Sequence, residues 1–453
     1  MPKGAVNGGV LTSDSEGNSS WQVSKHHGTV QWSSIYKCLD LTTENNFIKV
    51  IFPTSFAKLP TISLTKEADS AVTDIDLYIK DKTLDGFQIY NSVPMTKKLS
   101  DSEIGQYKVC SLGNNGNNKS KIGICYYNLT LGQIEFVTND KYSIKINDGV
   151  SDEICDMIVI GDKVAVFYID DNIYKCKYSS DINATSFGNA SQIMQIPETA
   201  DLDSRSIFAL DVNSLPFVFF HVDFNPNTKV MLVKAKDLNG TWGTPNPISD
   251  LTNHHILDAK IIRSTSGEHI IVIAMNLSTN EICSTFSVDL TGNVWSKSIS
   301  LTKDGKIPLY VNDGKCSHTL TNINGQECLI SSELDTNSLY ISILDHTDKW
   351  SSFRLLLETN TTNIYPHVFT KNNIAYMLYN DYSGSSSKKK LVEFGTFENN
   401  VPGIIKSEFI NSLEYCSDHQ VVNNGDIIMY SDKNLTLLKF YSYDLKINWI
   451  ALS

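Results

Sequence analysis

Short apolar runs of roughly four to eight residues, each closed by Asn, Asp, Gly or Ser, recur along most of the chain. Val164–Ile169, Phe217–Phe220, Ile270–Met275 and Ile427–Tyr430 are examples. Runs of this length, rich in β-branched and aromatic side chains and bounded by turn formers, predict strands. No long window carries apolar positions at the helical period with capping residues at its ends, so an all-β chain is expected.

From about residue 105 the pattern repeats roughly every 50 residues. One marker is an aromatic that follows a polar turn, at Phe136, Phe187, Trp242, Trp295, Trp350, Phe397 and Trp449. A second is an Asn or Asp between two apolar runs, at Asn172, Asn227, Asn280, Asn337, Asp381 and Asn434. The stretch 155–195 reads as four strands, and the stretch 315–356 copies it. Seven such units predict a seven-bladed β-propeller over 105–453, a ring that removes exposed sheet edges. The seven aromatics are expected to be structural, packed between blades. Residues 1–100 lack the period but hold five or so strand-like runs, which predict a small β-sandwich over 21–95. The Gly/Ser/Asn-rich segment 1–20 is expected to be flexible, and the polar stretch 96–104 to be a linker.

Composition narrows the function classes. A chain of 453 residues with a net charge of −12 is a poor partner for nucleic acid, which rewards a basic face. No apolar run is long enough for a membrane span, and the first residues lack the apolar stretch of a secretory signal. The protein is therefore expected in the cytoplasm, exported by an unconventional route, or carried on a particle. The nine cysteines (38, 110, 125, 155, 176, 283, 316, 328 and 416) form no C-x-x-C pair, and most sit in apolar runs. They predict buried free thiols, with no metal site and no cofactor.

Two resemblances arise from specific residues. Phe47–Phe52, then Phe56, Pro60, Ile62 and Leu64, and the late Gly86-Phe87 strand resemble the H-type lectin domain. That resemblance implies a β-sandwich that forms oligomers, often trimers or hexamers, and binds sugars near subunit contacts. Asp237–Trp242, Asp345–Trp350 and Asp444–Trp449 are similar to the Asp-box hairpins of sialidase-like and fucose-lectin-like propellers, with Asp five residues before Trp; Asp289–Trp295 is one residue longer. The resemblance implies a propeller fold and a link to glycans.

The chemistry favours a binder over an enzyme. Sialidase chemistry holds a carboxylate with three guanidiniums, and this chain has only Arg205, Arg263 and Arg354. A glycosidase needs two carboxylates at a set separation. Asp156, Asp258 and Asp418 open inner strands, but nothing marks a catalytic pair among them. His318, His367 and His419 recur on three successive inner strands and are candidate ligand-binding residues around the funnel, with Tyr365 as a stacking platform. The competing reading of the histidines is a repeated position that tolerates a hydrogen-bonding side chain. Catalytic and metal-ligating residues are not expected. The function read from the sequence is non-catalytic, multivalent recognition of cell-surface or extracellular glycans, with oligomerisation through the N-terminal domain. A fibre-head or surface-attachment protein that binds a protein partner is the alternative, and a diverged glycoside hydrolase the second.

Overall fold

The computed structural model describes residues 10–13, 19–22, 25–34, 47–56, 59–67, 77–91, 96–98, 104–114, 120–138, 143–147, 153–196, 207–224, 227–302, 318–333, 338–359, 366–371, 373–383, 386–410, 418–421, 426–431, 434–439 and 443–452. Among these every regular element is a strand, and none is a helix that might cross a membrane. The chain divides into two compact units, one of residues 1–96 with 439–453 and the other of residues 97–438.

The larger unit is a seven-bladed β-propeller. Its seven sheets each have four antiparallel strands. In the first six, the strands run in chain order from the inside of the ring outward. Their inner strands are Ile104–Asn114, Glu153–Ile160, Ile207–Val212, His254–Ser264, His318–Ile323 and His367–Lys371. Asp418–Val421 is the seventh. Each inner strand touches the next, and the seventh touches the first, so the ring closes. The apolar runs are explained by this stacking. Every blade has a neighbour on both faces, so side chains that alternate in direction are all buried. Ile270, Val272 and Ala274 pack towards the third blade, while Ile271, Ile273 and Met275 pack towards the fifth.

The seventh blade is completed from elsewhere in the chain. Its outermost strand is Thr96–Lys98, in the stretch expected to be a linker. The end of the chain leaves the ring altogether. Tyr443–Leu452 is the central strand of a three-stranded sheet in the smaller unit, between Lys25–Ser34 and Thr61–Glu67. The expected boundaries, a sandwich over 21–95 and a propeller running to 453, are corrected accordingly. Pairing explains both departures: an edge strand accepts any extended segment that offers its backbone groups, wherever it lies in sequence.

The smaller unit holds that sheet and a second one, in which Gly86–Asn91 lies between Phe47–Ile51 and Leu77–Lys80. An aromatic cluster joins the two. His26 stacks on Phe52 at 5.8 Å and meets Phe56 edge-on at 4.8 Å, and Phe52 also contacts Phe87 at 5.7 Å. A hairpin of Val10–Ser13 and Ser19–Gln22 accompanies them.

Candidate functional site

Four of the seven predicted aromatics share one structural position. Phe187, Trp242, Trp295 and Trp350 each bridge the end of the third strand of a blade, opening the hairpin to the fourth. Three of them reach back to the preceding blade's aromatic core: Phe187 on Phe136 at 5.2 Å, Trp242 on Phe167 at 6.4 Å, and Trp295 on Phe219 at 6.2 Å. Phe136 and Phe397 instead lie within third strands, paired with Cys125 and Pro402. Trp449 pairs with Gly28 and Leu64 in the smaller unit, so Asp444–Trp449 is part of a strand rather than a hairpin.

The hairpins that end in Trp follow Asp-turn chemistry. Asp237 Oδ1 accepts the amides of Asn239 and Thr241, and Asp345 Oδ1 accepts those of Thr347 and Lys349. These bonds favour the ionised form and hold both carboxyls below their usual range. Trp242 Nε1 then donates to Ser191 Oγ and Trp350 Nε1 to Ser284 Oγ, each on the preceding blade. Trp295 differs: with one more residue in its hairpin, its Nε1 donates to Gly292 O within the same turn.

The inner-strand aspartates are a second kind of staple. Asp156 and Asp258 both sit at irregularities in their strands. One oxygen of each accepts the following amide at 2.8 Å, from Met157 and Ala259. The other accepts an amide of the next blade, from Ala209 at 2.8 Å and Leu320 at 2.9 Å. Burial pushes both carboxyls up, Asp258 to about 6. They lock blade two to three and blade four to five. Asp418 opens the seventh inner strand, and its side chain lies outside the described residues.

The histidine ring predicted at the funnel does not assemble from its first two members. His318 pairs with Ser331, five residues before the end of its strand, and His367 pairs with Leu378, four before. Both strands close through two-residue turns without a register shift, so one residue of difference sends the two side chains to opposite faces. His318 is buried, which pushes its imidazole down to about 3. His367 is half-buried, His419 pairs with Met429 with its side chain outside the described residues, and Tyr365 also lies outside them. No group of three His, Cys, Asp or Glu suited to a metal occurs among the described residues. Cys110, Cys125, Cys176, Cys283 and Cys328 are free, and burial raises Cys110 and Cys328 to about 12.

The open site lies elsewhere, between the third and fourth blades. A cleft of about 900 Å³ is floored by Val212, Leu215, Phe217 and Leu290. Lys234 stands over the Phe217 ring at 5.5 Å and donates across the cleft to Asn293 Oδ1. Burial lowers the Lys234 ammonium, and Asp289 opposes that shift. Asp289 is itself held low by the hydroxyl and amide of Thr291. The other wall is Arg263, Gly267 and Glu268, with Arg263 and Glu268 paired across the strands at 3.2 Å.

That wall exists because the fourth blade's inner hairpin is longer than its neighbours'. In the second, third and fifth blades, the third strand's terminal bond reaches a carbonyl one residue past the turn: Val164, Pro216 and Glu327. In the fourth the same bond reaches Ile270, three residues past. The turn therefore projects two more residues, about 7 Å. Gly267 makes the return with φ +119°, a conformation that suits glycine. Of these cleft residues the sequence reading named Phe217 as the start of an apolar run, Arg263 as one of three arginines and Asp289 in its lengthened hairpin, none of them as a ligand group; that extra residue before Trp295 was the available signal.

No family model and no curated protein matches the chain. Solved structures of similar outline include a virginiamycin B lyase from Staphylococcus aureus, 12% identical with a TM-score of 0.44, which covers 79% of this chain and 98% of that one. A polysaccharide lyase is 11% identical with a TM-score of 0.41, covering 78% and 90%. The Aleuria aurantia lectin is 10% identical with a TM-score of 0.37, covering 68% and 97%. Likenesses this distant carry no activity over to this chain. They do correct the expectation of a protein without catalysis: lyases stand beside a lectin among them, so the propeller is no ground for excluding an enzyme.

Proposed function

We propose that this protein binds carbohydrate, and that the propeller does so in the cleft between its third and fourth blades. The observation that carries the reading is the lining. An apolar floor with an aromatic ring lies between two sets of polar groups, Lys234 with Asn293 and Asp289 on one side and Arg263 with Glu268 on the other. Each set offers donors and acceptors side by side, which suits hydroxyls that both give and take a hydrogen bond, while the floor suits the C–H face of a sugar ring. Recognition of cell-surface or extracellular glycans by several copies at once belongs to the same proposal. So does the H-type-lectin character of the smaller unit, which its two three-stranded sheets support.

A glycan array with the full-length protein, followed by titration of the best ligand into Lys234→Met and Asn293→Ala, tests the reading. Binding that weakens at least tenfold in both variants supports it. Binding unchanged in both moves the sugar site away from this cleft, and no binding by the folded native protein removes the carbohydrate reading.

A further inference from the structure

The long inner hairpin of the fourth blade has two sides, and only one belongs to the cleft. The other grips the fifth blade. Thr265 donates its amide and its hydroxyl to His346 O, at 3.1 and 2.9 Å. Ser264 Oγ and Ser266 Oγ, on either side of Thr265 and 2.7 Å from each other, lie 3.2 and 3.3 Å from Asp348 Oδ2, so that one hydroxyl donates to the carboxylate and the other to its neighbouring hydroxyl. His269 Nε2 lies 3.2 Å from Asp348 Oδ1. One carboxylate thus gathers three side chains of a hairpin that carries Arg263 and Glu268 on the strands between them.

We propose that Asp348 is a positioning residue for the ligand cleft: it holds the Ser264–Ser266 turn from the fifth blade and so fixes where Arg263 and Glu268 stand in the cleft wall. The inference rests on the cleft being the carbohydrate site.

Two features make the hold directional. Beyond Ile270 the hairpin projects past the anchoring bond its neighbours use, and its ion pair next to the turn, Arg263–Glu268, is too exposed to stiffen it. Asp348, by contrast, sits on a fixed support. Its amide donates to Asp345 O at 3.1 Å, and Asp345 Oδ1 holds the amides on both sides of it. Its φ of +62° is one that Asn or Gly also adopts, so the side chain can be changed without forcing the backbone. Asp348 lines no part of the cleft, and its effect on a ligand must pass through the wall.

The test uses the full chain and the methyl glycosides of glucose, galactose, mannose, fucose and xylose, titrated by ligand-observed NMR. Four variants are compared with the native protein: Asp348→Gly, Asp348→Asn, Trp350→Phe and Asn293→Ala. Asp348→Gly is expected to weaken the best glycoside about 3- to 30-fold, the range of coupling through a positioned element. Asp348→Asn keeps an oxygen for the serine pair and should recover most of the affinity. Trp350→Phe breaks the bond to Ser284 at the same blade interface without touching the turn, and should leave affinity unchanged. Amide exchange at residues 264–268 should quicken in Asp348→Gly alone. If Asn293→Ala loses the glycoside while Asp348→Gly matches the native protein, the positioning role is wrong and the cleft reading stands. An equal loss in Trp350→Phe and Asp348→Gly also overturns the role, because general weakening of the interface would then explain both. If no glycoside binds the native protein, the cleft reading falls and takes the role with it.

Discussion

The fourth blade meets its two neighbours in different ways. Towards the fifth it is fastened four times: by Asp258 on the Leu320 amide, by Trp350 on Ser284, by Lys260 on Glu327 at 2.6 Å, and by Asp348 and His346 on the 264–266 turn. Towards the third it shares a full apolar core, yet no inner-strand carboxylate or tryptophan N–H staples it there among the bonds described. Blades two and three are in turn joined by Asp156 and Trp242. The result is two stapled pairs with a seam between them, and the cleft opens at the seam. The polar groups that line the cleft are partnered locally, Lys234 with Asn293 and Arg263 with Glu268, and they lie where those staples are missing.

The largest break in this contrast comes from shortening the long hairpin. Replacing Arg263–Glu268 by a two-residue Asn-Gly turn removes the cleft wall and the clamp together. Glycoside binding should be lost, with a drop of about 3 kcal/mol in unfolding free energy from the released hydrogen bonds, read by urea denaturation. An unchanged midpoint would mean that the clamp contributes nothing.

Next in size is a pH effect on the stapled side. The Asp258 carboxyl is raised to about 6 in the folded state, against roughly 3.9 when unfolded. A raised acid favours the folded state when protonated, so its contribution is full below about pH 4 and is lost as pH rises through 6. Stability should therefore fall by up to about 2–3 kcal/mol between pH 4 and 7.5, and calorimetry across that range should show the slope. Asp237, Asp289 and Asp345 act oppositely. Their lowered carboxyls give stability that is lost on going below their usual range, so the optimum should lie near pH 4 to 5. Asp258→Asn should flatten the upper slope; an unaltered slope would assign it to other groups.

A double-mutant cycle of Trp350→Phe with Ser284→Ala should give a coupling of about 1 kcal/mol, the worth of one buried hydrogen bond. Trp295, whose N–H stays in its own turn, should show no coupling to the third blade when paired with Phe219→Leu beyond that of the ring contact. The smallest effect expected on stability is that of Arg263→Ala, within about 0.5 kcal/mol because its pair with Glu268 is exposed. Affinity for the glycoside should fall in the same variant, which separates a ligand group from a structural one.

Much of this was legible before any coordinates. Strands, turns and their period depend on local chemistry: apolar runs that need burial on both faces, and Asn, Asp and Gly where the backbone turns left-handed, as at Asn172, Asn280 and Gly161. The Asp-to-Trp spacing marked two real hairpins, at Asp237 and Asp345, while at Asp444 it falls within a strand; the extra residue before Trp295 marked the blade where the staple fails. The histidines show the limit of spacing. His318 and His367 recur at a near-constant interval, yet counted from their turns they differ by one residue, and in a strand one residue reverses the face.

The sequence by itself determined that the chain is all-β, that it repeats, and that each repeat is a four-stranded sheet, because those properties follow from neighbours a few residues apart. Only the tertiary structure decided which strands close the assembly. Thr96–Lys98 completes the seventh blade and Tyr443–Leu452 leaves for the smaller unit, because backbone pairing is satisfied by any extended partner and leaves no mark in the side chains. It also decided where the site lies. A cleft is defined by the contacts that two blades do not make, and Lys234, Arg263, Glu268 and Asn293 come within reach of one ligand only after the ring has set those blades side by side.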